Sequence, residues 1–218
     1  VLDSTDATGT DARNGFLLDD ETGAGQITLD STATGSIDAG DHIVNESPID
    51  FSLQNLTITD SKINSNSIVT LSRSSNTGPF GGGIFSSGSL TISDSEVSRN
   101  GADGIYCTSS GATYSNVTAS SNGMDGIYSS GNATFTNCTA SSNGDAGLYD
   151  GSSGTSTFSS CTANSNTGEG IYTAGAGTFT SCLASQNGGR GISCSGAGTF
   201  TSSYASNNSS DGMYSSSG

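Results

Sequence analysis

The sequence predicts an all-β fold: a single solenoid of short parallel strands with about 21–23 residues per coil. Three observations carry this. One Asn recurs at Asn100, Asn122, Asn143, Asn166, Asn187 and Asn208, at intervals of 22, 21, 23, 21 and 21 residues. Around each Asn, apolar residues alternate with Ser and Thr at period two, which is the spacing of strands and not of helices. The composition is 31% hydrophobic with 32 Gly and no Trp, too poor in core material for a two-layer globule of 218 residues. Polar chains of that kind stay disordered when they lack recurring apolar positions, and this chain has them.

Each element of the coil follows in order. The series Ile92, Tyr114, Phe135, Phe158, Phe179 and Phe200 is flanked by Thr or Ser, as in Thr134-Phe135-Thr136. Strand alternation sends the ring to one face and both hydroxyl residues to the other. This series is the expected core ladder, each buried ring contributing on the order of 1.5–3 kcal/mol. A small column follows: Val97, Ala119, Ala140, Ala163, Ala184 and Ala205. The Asn column suits a bend, where a short amide satisfies backbone groups that strands leave unpaired. A Gly then precedes Ile105, Ile127, Leu148, Ile171, Ile192 and Met213. It reads as a position that needs a backbone angle other residues avoid. Coils stacked about 4.8 Å apart turn every column into a ladder of like side chains.

Upstream, "NLTITDSKINSN" (Asn55–Asn66) reads as a further coil, with Ile58, Ile63 and Asn66 in the roles of Ile92, Val97 and Asn100. Asn66 and Asn100 are 34 residues apart, so this coil is expected to carry an inserted loop near 67–82, with Pro79 and the Gly81–Gly83 run as its exit. Residues 1–40 do not fit the repeat. Their apolar knot Phe16-Leu17-Leu18 lies among acids and reads as an N-terminal cap or a docking arm, leaving 41–218 as the solenoid.

Coils such as "LTISDSEVSRNGADGIY" (Leu90–Tyr106), and the Gly-rich "GGGIFSSGSLTIS" (Gly81–Ser93), resemble the right-handed parallel β-helix. That is the superfold of pectate lyases, phage tailspikes and the repeat regions of secreted surface and adhesin-type β-solenoids. The resemblance covers about residues 50–218. It implies the architecture and not one activity, because the superfold hosts many functions.

With five Lys+Arg against 20 Asp+Glu and a net charge of -15, the surface has no basic patch for nucleic acid. No apolar run approaches membrane-spanning length. Few Lys, many Ser and Thr, and candidate N-glycosylation sequons at Asn45, Asn55, Asn116, Asn132, Asn137, Asn207 and Asn208 point to an extracellular or cell-surface protein.

Lyases of the superfold use a Ca2+-binding acidic cluster and a base. Here Arg13, His42, Lys62, Arg73, Arg99 and Arg190 sit on different coils without a consistent acidic partner. Hydrolases need carboxylates that converge on one cleft. Asp103, Asp125, Asp145, Glu169 and Asp211 instead fall at a recurring turn, with Arg190 between the last two as charge relief. No catalytic residue and no cofactor is therefore expected. Ca2+ is the one ion that the acidic turns could take, although no D-x-[DN]-x-[DN]-G motif is present. Cys138, Cys161 and Cys182 share an inward column with Val117 and Ser203. Their stacked Cα atoms would lie within disulfide range while their parallel Cβ vectors stay slightly too far apart, so buried thiols are the favoured reading.

Two outward columns remain. Thr91, Thr113, Thr134, Thr157, Thr178 and Thr199, with Ser93, Ser115, Thr136, Ser159, Thr180 and Thr201, resemble the flat threonine faces of ice-binding β-solenoids. Such residues also simply suit an exposed strand. Phe85, Tyr106, Tyr128, Tyr149, Tyr172 and Tyr214, interrupted by Ser193, form a stripe that could receive a glycan or a protein partner, or could stack for its own stability.

These readings lead to a non-catalytic extracellular structural solenoid, a self-assembling subunit of a surface filament, sheath, stalk or adhesin. End-to-end association is expected through the strand edges of the coil from Phe200 to Tyr214. A carbohydrate-binding or polysaccharide-cleaving module is the alternative, and an ice-binding protein the third.

Overall fold

Alternation at period two becomes three ladders of parallel strands wound around one core. The computed structural model describes residues 83–86 and 90–217 in full, and before them only the strands named below, without their side chains. The first ladder stacks Ile84–Ser86, Ile105–Cys107, Ile127–Ser129, Leu148–Asp150 and Ile171–Thr173, then the start of Ile192–Thr201 and Met213–Ser217. The second stacks Leu90–Ser98, Thr113–Ser120, Thr134–Thr136, Thr155–Ser159, Ala176–Thr180 and the end of Ile192–Thr201. The third runs from the ends of the two longer strands through Thr139–Ser141, Thr162–Asn164 and Leu183–Ser185 to Tyr204–Ser206. All pairings are parallel, and among the described residues there is no helix.

The core lies where the three ladders face one another. Ile105, Ile127, Leu148, Ile171 and Ile192 enter from the first and Ala119, Ala140, Ala163 and Ala184 from the third, all wholly buried. From the second come Tyr114, Phe135, Phe158 and Phe179, with ring centroids 4.8, 4.6 and 5.1 Å apart, and Phe200 a further 5.0 Å along. The expected core ladder is thus present in register.

The chain turns at both ends of the third ladder through residues with left-handed backbone angles. One file is Asp94, Asn116, Asn137, Ser160, Ser181 and Ser202; the other is Arg99, Ser121, Ser142, Ser165, Gln186 and Asn207, with φ from 48° to 61° in all. Short polar side chains bear this conformation better than β-branched ones. The expected special angle therefore falls on these residues and not on the Gly before each Ile. Those glycines are required by space. A Cβ on Gly147 would lie 2.7 Å from Asn166 Nδ2 and 2.7 Å from the Gly170 carbonyl.

The Asn column fills the space that the glycines leave. Asn143 Oδ1 accepts from Asn122 N at 3.0 Å and from Asn122 Nδ2 at 3.1 Å. Its own Nδ2 donates to Asn166 Oδ1 at 2.9 Å and to the Ala119 carbonyl at 3.0 Å. The same pattern links Asn100, Asn122, Asn166, Asn187 and Asn208. Every buried amide in this file is satisfied along the stacking direction, as buried polar groups must be.

Upstream the register differs from expectation. Ile63 pairs with Ile84, and Asn64 with Phe85, so Ile63 belongs to the first ladder and not to the column of Val97. Ile58 is the residue in that column, through Asn76. Leu53 and Leu71 precede Ile92. Asn66 follows a first-ladder strand whereas Asn100 follows a third-ladder strand, so the two are not counterparts and their spacing needs no insertion. The segment expected as a loop near 67–82 carries Val69–Ser72 and Ser75–Thr77, each paired on both sides; the rest of it lies outside the described residues. Likewise Phe16–Leu18 pairs with His42–Asn45, and Gln26–Ile37 with Asp50–Thr59, in the same ladders. Parallel pairing in these ladders thus begins before residue 41. Parallel pairing uses backbone groups that any extended strand offers, so the Asn-Gly-Ile letters are not needed for it. The rest of residues 1–40, expected as a cap or docking arm, lies outside the described residues.

Candidate functional site

The first-ladder strands from Ile84–Ser86 to Ile171–Thr173 place their middle residue outward, between two buried neighbours. This builds the aromatic stripe. Phe85, Tyr106, Tyr128, Tyr149 and Tyr172 stack with centroids 5.7, 4.7, 5.1 and 4.8 Å apart. The ring faces are turned to one another and the side chains are half-buried. What the stripe offers outward is ring edges and a row of phenol hydroxyls. Burial, reinforced by the neighbouring tyrosines and carboxylates, raises the Tyr128 and Tyr149 hydroxyls above the ordinary tyrosine range, so they stay protonated hydrogen-bond donors.

A charged file runs beside the stripe, two residues before each Ile. It reads Asp103, Asp125, Ala146, Glu169, Arg190 and Asp211, as the rung-to-rung backbone bonds of the following glycines show. Asp145 sits one place earlier than expected: its N–H donates to Met124 O, and the Ala146 N–H donates to Asp125 Oδ1 at 2.8 Å. Asp103 Oδ1 accepts from Asp125 N at 2.9 Å. Burial, aided by repulsion from Asp103, Asp145 and Glu169, pushes Asp125 up to about 7, against the pull of the Ala146 N–H. Burial also raises Asp103.

The stability consequence has a definite sign. The folded chain holds the Asp125 proton at pH values where the unfolded chain, at about 3.9, has released it. The stability contribution is full below pH ~4, declines as pH rises, and is lost above pH ~7. Asp125→Asn is expected to flatten this slope between pH 4 and 7, as read from thermal midpoints at each pH. An unchanged slope would show that Asp125 does not titrate near neutrality.

The stripe breaks at Ser193, which pairs with Tyr172 on one side and Tyr214 on the other. Arg190 fills the gap. Its guanidinium carbon lies 4.0 Å from the Tyr214 ring centroid, and its Nε donates to Asp211 Oδ2 at 3.2 Å. The charge relief read from the sequence is this contact.

Among the described residues all five cysteines are buried free thiols. Cys161 Sγ donates to the carbonyls of Phe135 and Ser159 at 3.5 and 3.4 Å. Hydrogen bonding along the thiol column pushes Cys161 up to about 12 and Cys182 higher, while it lowers Cys138. Asp150, which sequence reading passed over, lies inside with no exposed surface. Its two oxygens accept from Ser152 N and Ser156 Oγ, both at 2.7 Å. The signal was available, since alternation after Tyr149 turns residue 150 inward.

Of the sequons, Asn116, Asn132, Asn137 and Asn207 are exposed. Asn208 is half-buried, and its amide donates to the Ala184 carbonyl at 3.2 Å, so a glycan there would break the Asn ladder. Asn45 and Asn55 lie in strands whose side chains are outside the described residues. The Thr and Ser columns form an uncharged outward face in register. Among the described residues no group of three or more His, Cys, Asp or Glu side chains is placed to hold a metal ion, and no helix is long and apolar enough to cross a membrane.

A family model described as "Right handed beta helix region" matches residues 81–218. No curated protein matches the chain. Among solved structures, the Azotobacter vinelandii mannuronan C-5 epimerase AlgE6 A-module is similar at 16% identity and TM-score 0.62, over 87% of this chain and 61% of that one. The AlgE4 A-module from the same organism is similar at 18% identity and TM-score 0.62, over 84% and 59%. The Dettilon tailspike protein aligns at 11% identity with TM-score 0.38, over 84% and 54%. The chain thus spans about three fifths of the epimerase modules, and identities this low speak to the fold alone.

Proposed function

The chain belongs to the right-handed β-helix family, and from that premise we propose that it is a non-catalytic structural solenoid of the cell exterior, a subunit of a surface filament, sheath, stalk or adhesin. One observation carries the reading. Each rung repeats the same side chains on the same faces, so the carboxylates stay in file along the turn instead of converging on a cleft with a base. Acid–base chemistry on a sugar needs that convergence. The one ion pair among the described residues, Arg190 with Asp211, satisfies itself.

End-to-end association is the corresponding partner. In this reading the strand edges at a solenoid end accept strands of a second copy. Light scattering and negative-stain microscopy across a concentration series are expected to give rods that lengthen with concentration. Assays on neutral and acidic polysaccharides, with and without Ca2+, are expected to give no turnover. Turnover lost on Asp125→Asn or Arg99→Ala would replace the structural reading with an enzyme.

A second reading is favoured by the tyrosine stripe beside the carboxylate file. Phenol hydroxyls and carboxylates in alternate columns supply donors and acceptors to a glycan laid along the solenoid. The epimerase A-modules are similar in fold, and the mannuronan of their name is a polysaccharide. In this reading the chain is a carbohydrate-binding module.

A further inference from the structure

The stripe has a ring on every described rung of the first ladder except one, and the exception is built differently from an ordinary gap. Ser193 has no exposed surface, and its hydroxyl has no hydrogen-bond partner. A buried hydroxyl without a partner costs free energy that a surface serine avoids. Tyr172 and Tyr214 lie one rung above and one below, about 10 Å apart at the usual strand spacing. That distance admits one further ring at the spacing the stripe uses elsewhere, 4.7–5.7 Å. The Arg190 guanidinium now stands over the Tyr214 face in that place, held from outside by Asp211. It is a partly exposed latch, because each of its two contacts is of a kind worth little at a surface.

We propose that the notch at Ser193 is a subsite for one ring of a neutral hexose chain. The ring takes the missing rung between Tyr172 and Tyr214, and Arg190 swings outward. The freed Tyr214 face packs against the apolar face of the sugar. The guanidinium fork and the Asp211 carboxylate, both planar and bidentate, bond vicinal ring hydroxyls. A further sugar hydroxyl gives Ser193 Oγ the partner it lacks, and Tyr172 Oη with Ser195 Oγ, 3.0 Å apart, closes the rim.

Charge selects the class of sugar. Glu169 and Asp211 stand in file on the rungs above and below Arg190, so an acidic sugar meets two carboxylates against one guanidinium that is already paired. An amino sugar meets the guanidinium itself. A neutral ring avoids both penalties.

The proposal rests on the glycan-binding reading of the stripe, and its test separates the two. The 218-residue chain is titrated with cellotetraose, with mannotetraose and with tetragalacturonate as the anionic control, and followed by residue-resolved NMR. The expected result is that a neutral tetrasaccharide shifts resonances confined to Tyr172, Arg190, Ser193, Asp211 and Tyr214. Ser193→Tyr, which supplies the missing ring from the chain itself, is expected to weaken that binding at least tenfold without lowering the unfolding midpoint. Arg190→Gln, which retains the fold whatever Ser193→Tyr does, is expected to weaken it at least threefold. Shifts confined to Tyr106–Tyr149 would leave the glycan reading standing and overturn the subsite. No shift with either neutral sugar, unchanged affinity in both variants, or tighter binding of tetragalacturonate would overturn it equally.

Discussion

Phe158→Ala is expected to lower stability by about 3–5 kcal/mol, as read from denaturant unfolding followed by far-ultraviolet circular dichroism. Phe158 is wholly buried and lies between two rings, 4.6 Å from Phe135 and 5.1 Å from Phe179. Truncation removes the transfer term of one ring and leaves a cavity that neither neighbour can enter. Each neighbouring ring is fixed by its own strand, in register with the next, and cannot slide along the stack. The site therefore collapses little, which places the loss high in the usual range. A loss below about 1 kcal/mol would mean that the rings are not packed as a continuous column.

Asn166→Ala is expected to cost about 3–6 kcal/mol, through stranded polar groups and not through lost packing. Asn166 Oδ1 accepts from both the N–H and the Nδ2 of Asn143, and its Nδ2 donates to Asn187 Oδ1 and to the Ala140 carbonyl. All four bonds vanish together, and the buried Asn143 N–H loses its acceptor. Asn166→Asp separates polarity from shape. Its carboxylate keeps the acceptor but loses the donor and carries a buried charge, so burial raises its folded pKa. The variant's stability is then expected to fall as pH rises through that value and to recover in acid. A ladder of merely decorative amides would show neither the loss nor its pH dependence.

From Leu90 onward the fold was legible because each column holds one kind of residue. Phe135, Phe158 and Phe179 announce one ladder, and the Asn file announces a bend. Upstream the same geometry is built from unlike letters. Leu53, Leu71 and Ile92 share a column, but Ile58 answers to Asn76, so no recurring residue marked the register and Ile63 was misplaced by a whole ladder. Strand pairing there is a backbone property, to which side-chain recurrence is blind.

The candidate site was legible as columns and not as chemistry. The tyrosine stripe and Arg190 could be placed by alternation alone. The near-neutral titration of Asp125 could not, because it depends on burial and on repulsion from three carboxylates of the stacked turns. Asp145 slipped by one place because its loop reads Asn-Gly-Asp-Ala-Gly where the two before it read Asn-Gly-Ala-Asp-Gly and Asn-Gly-Met-Asp-Gly. The glycines were given the wrong reason. Gly147 is excluded from bearing a side chain by the Asn166 amide, a contact that exists only once the coils are stacked.

The Asn ladder also makes rod length a counted quantity. Asn143 engages only the amides and carbonyls one coil away, and those partners are chemically identical on every coil from Asn100 to Asn208. Excising residues 144–166 would bring Asn143 against Asn187 with the same bonds on offer, and duplicating them would insert one more rung. Gene rearrangement in units of a coil can thus shorten or extend such a molecule in steps of about 4.8 Å, while a change of one or two residues has to be taken up in a turn, as the intervals of 21, 22 and 23 residues between successive Asn already are.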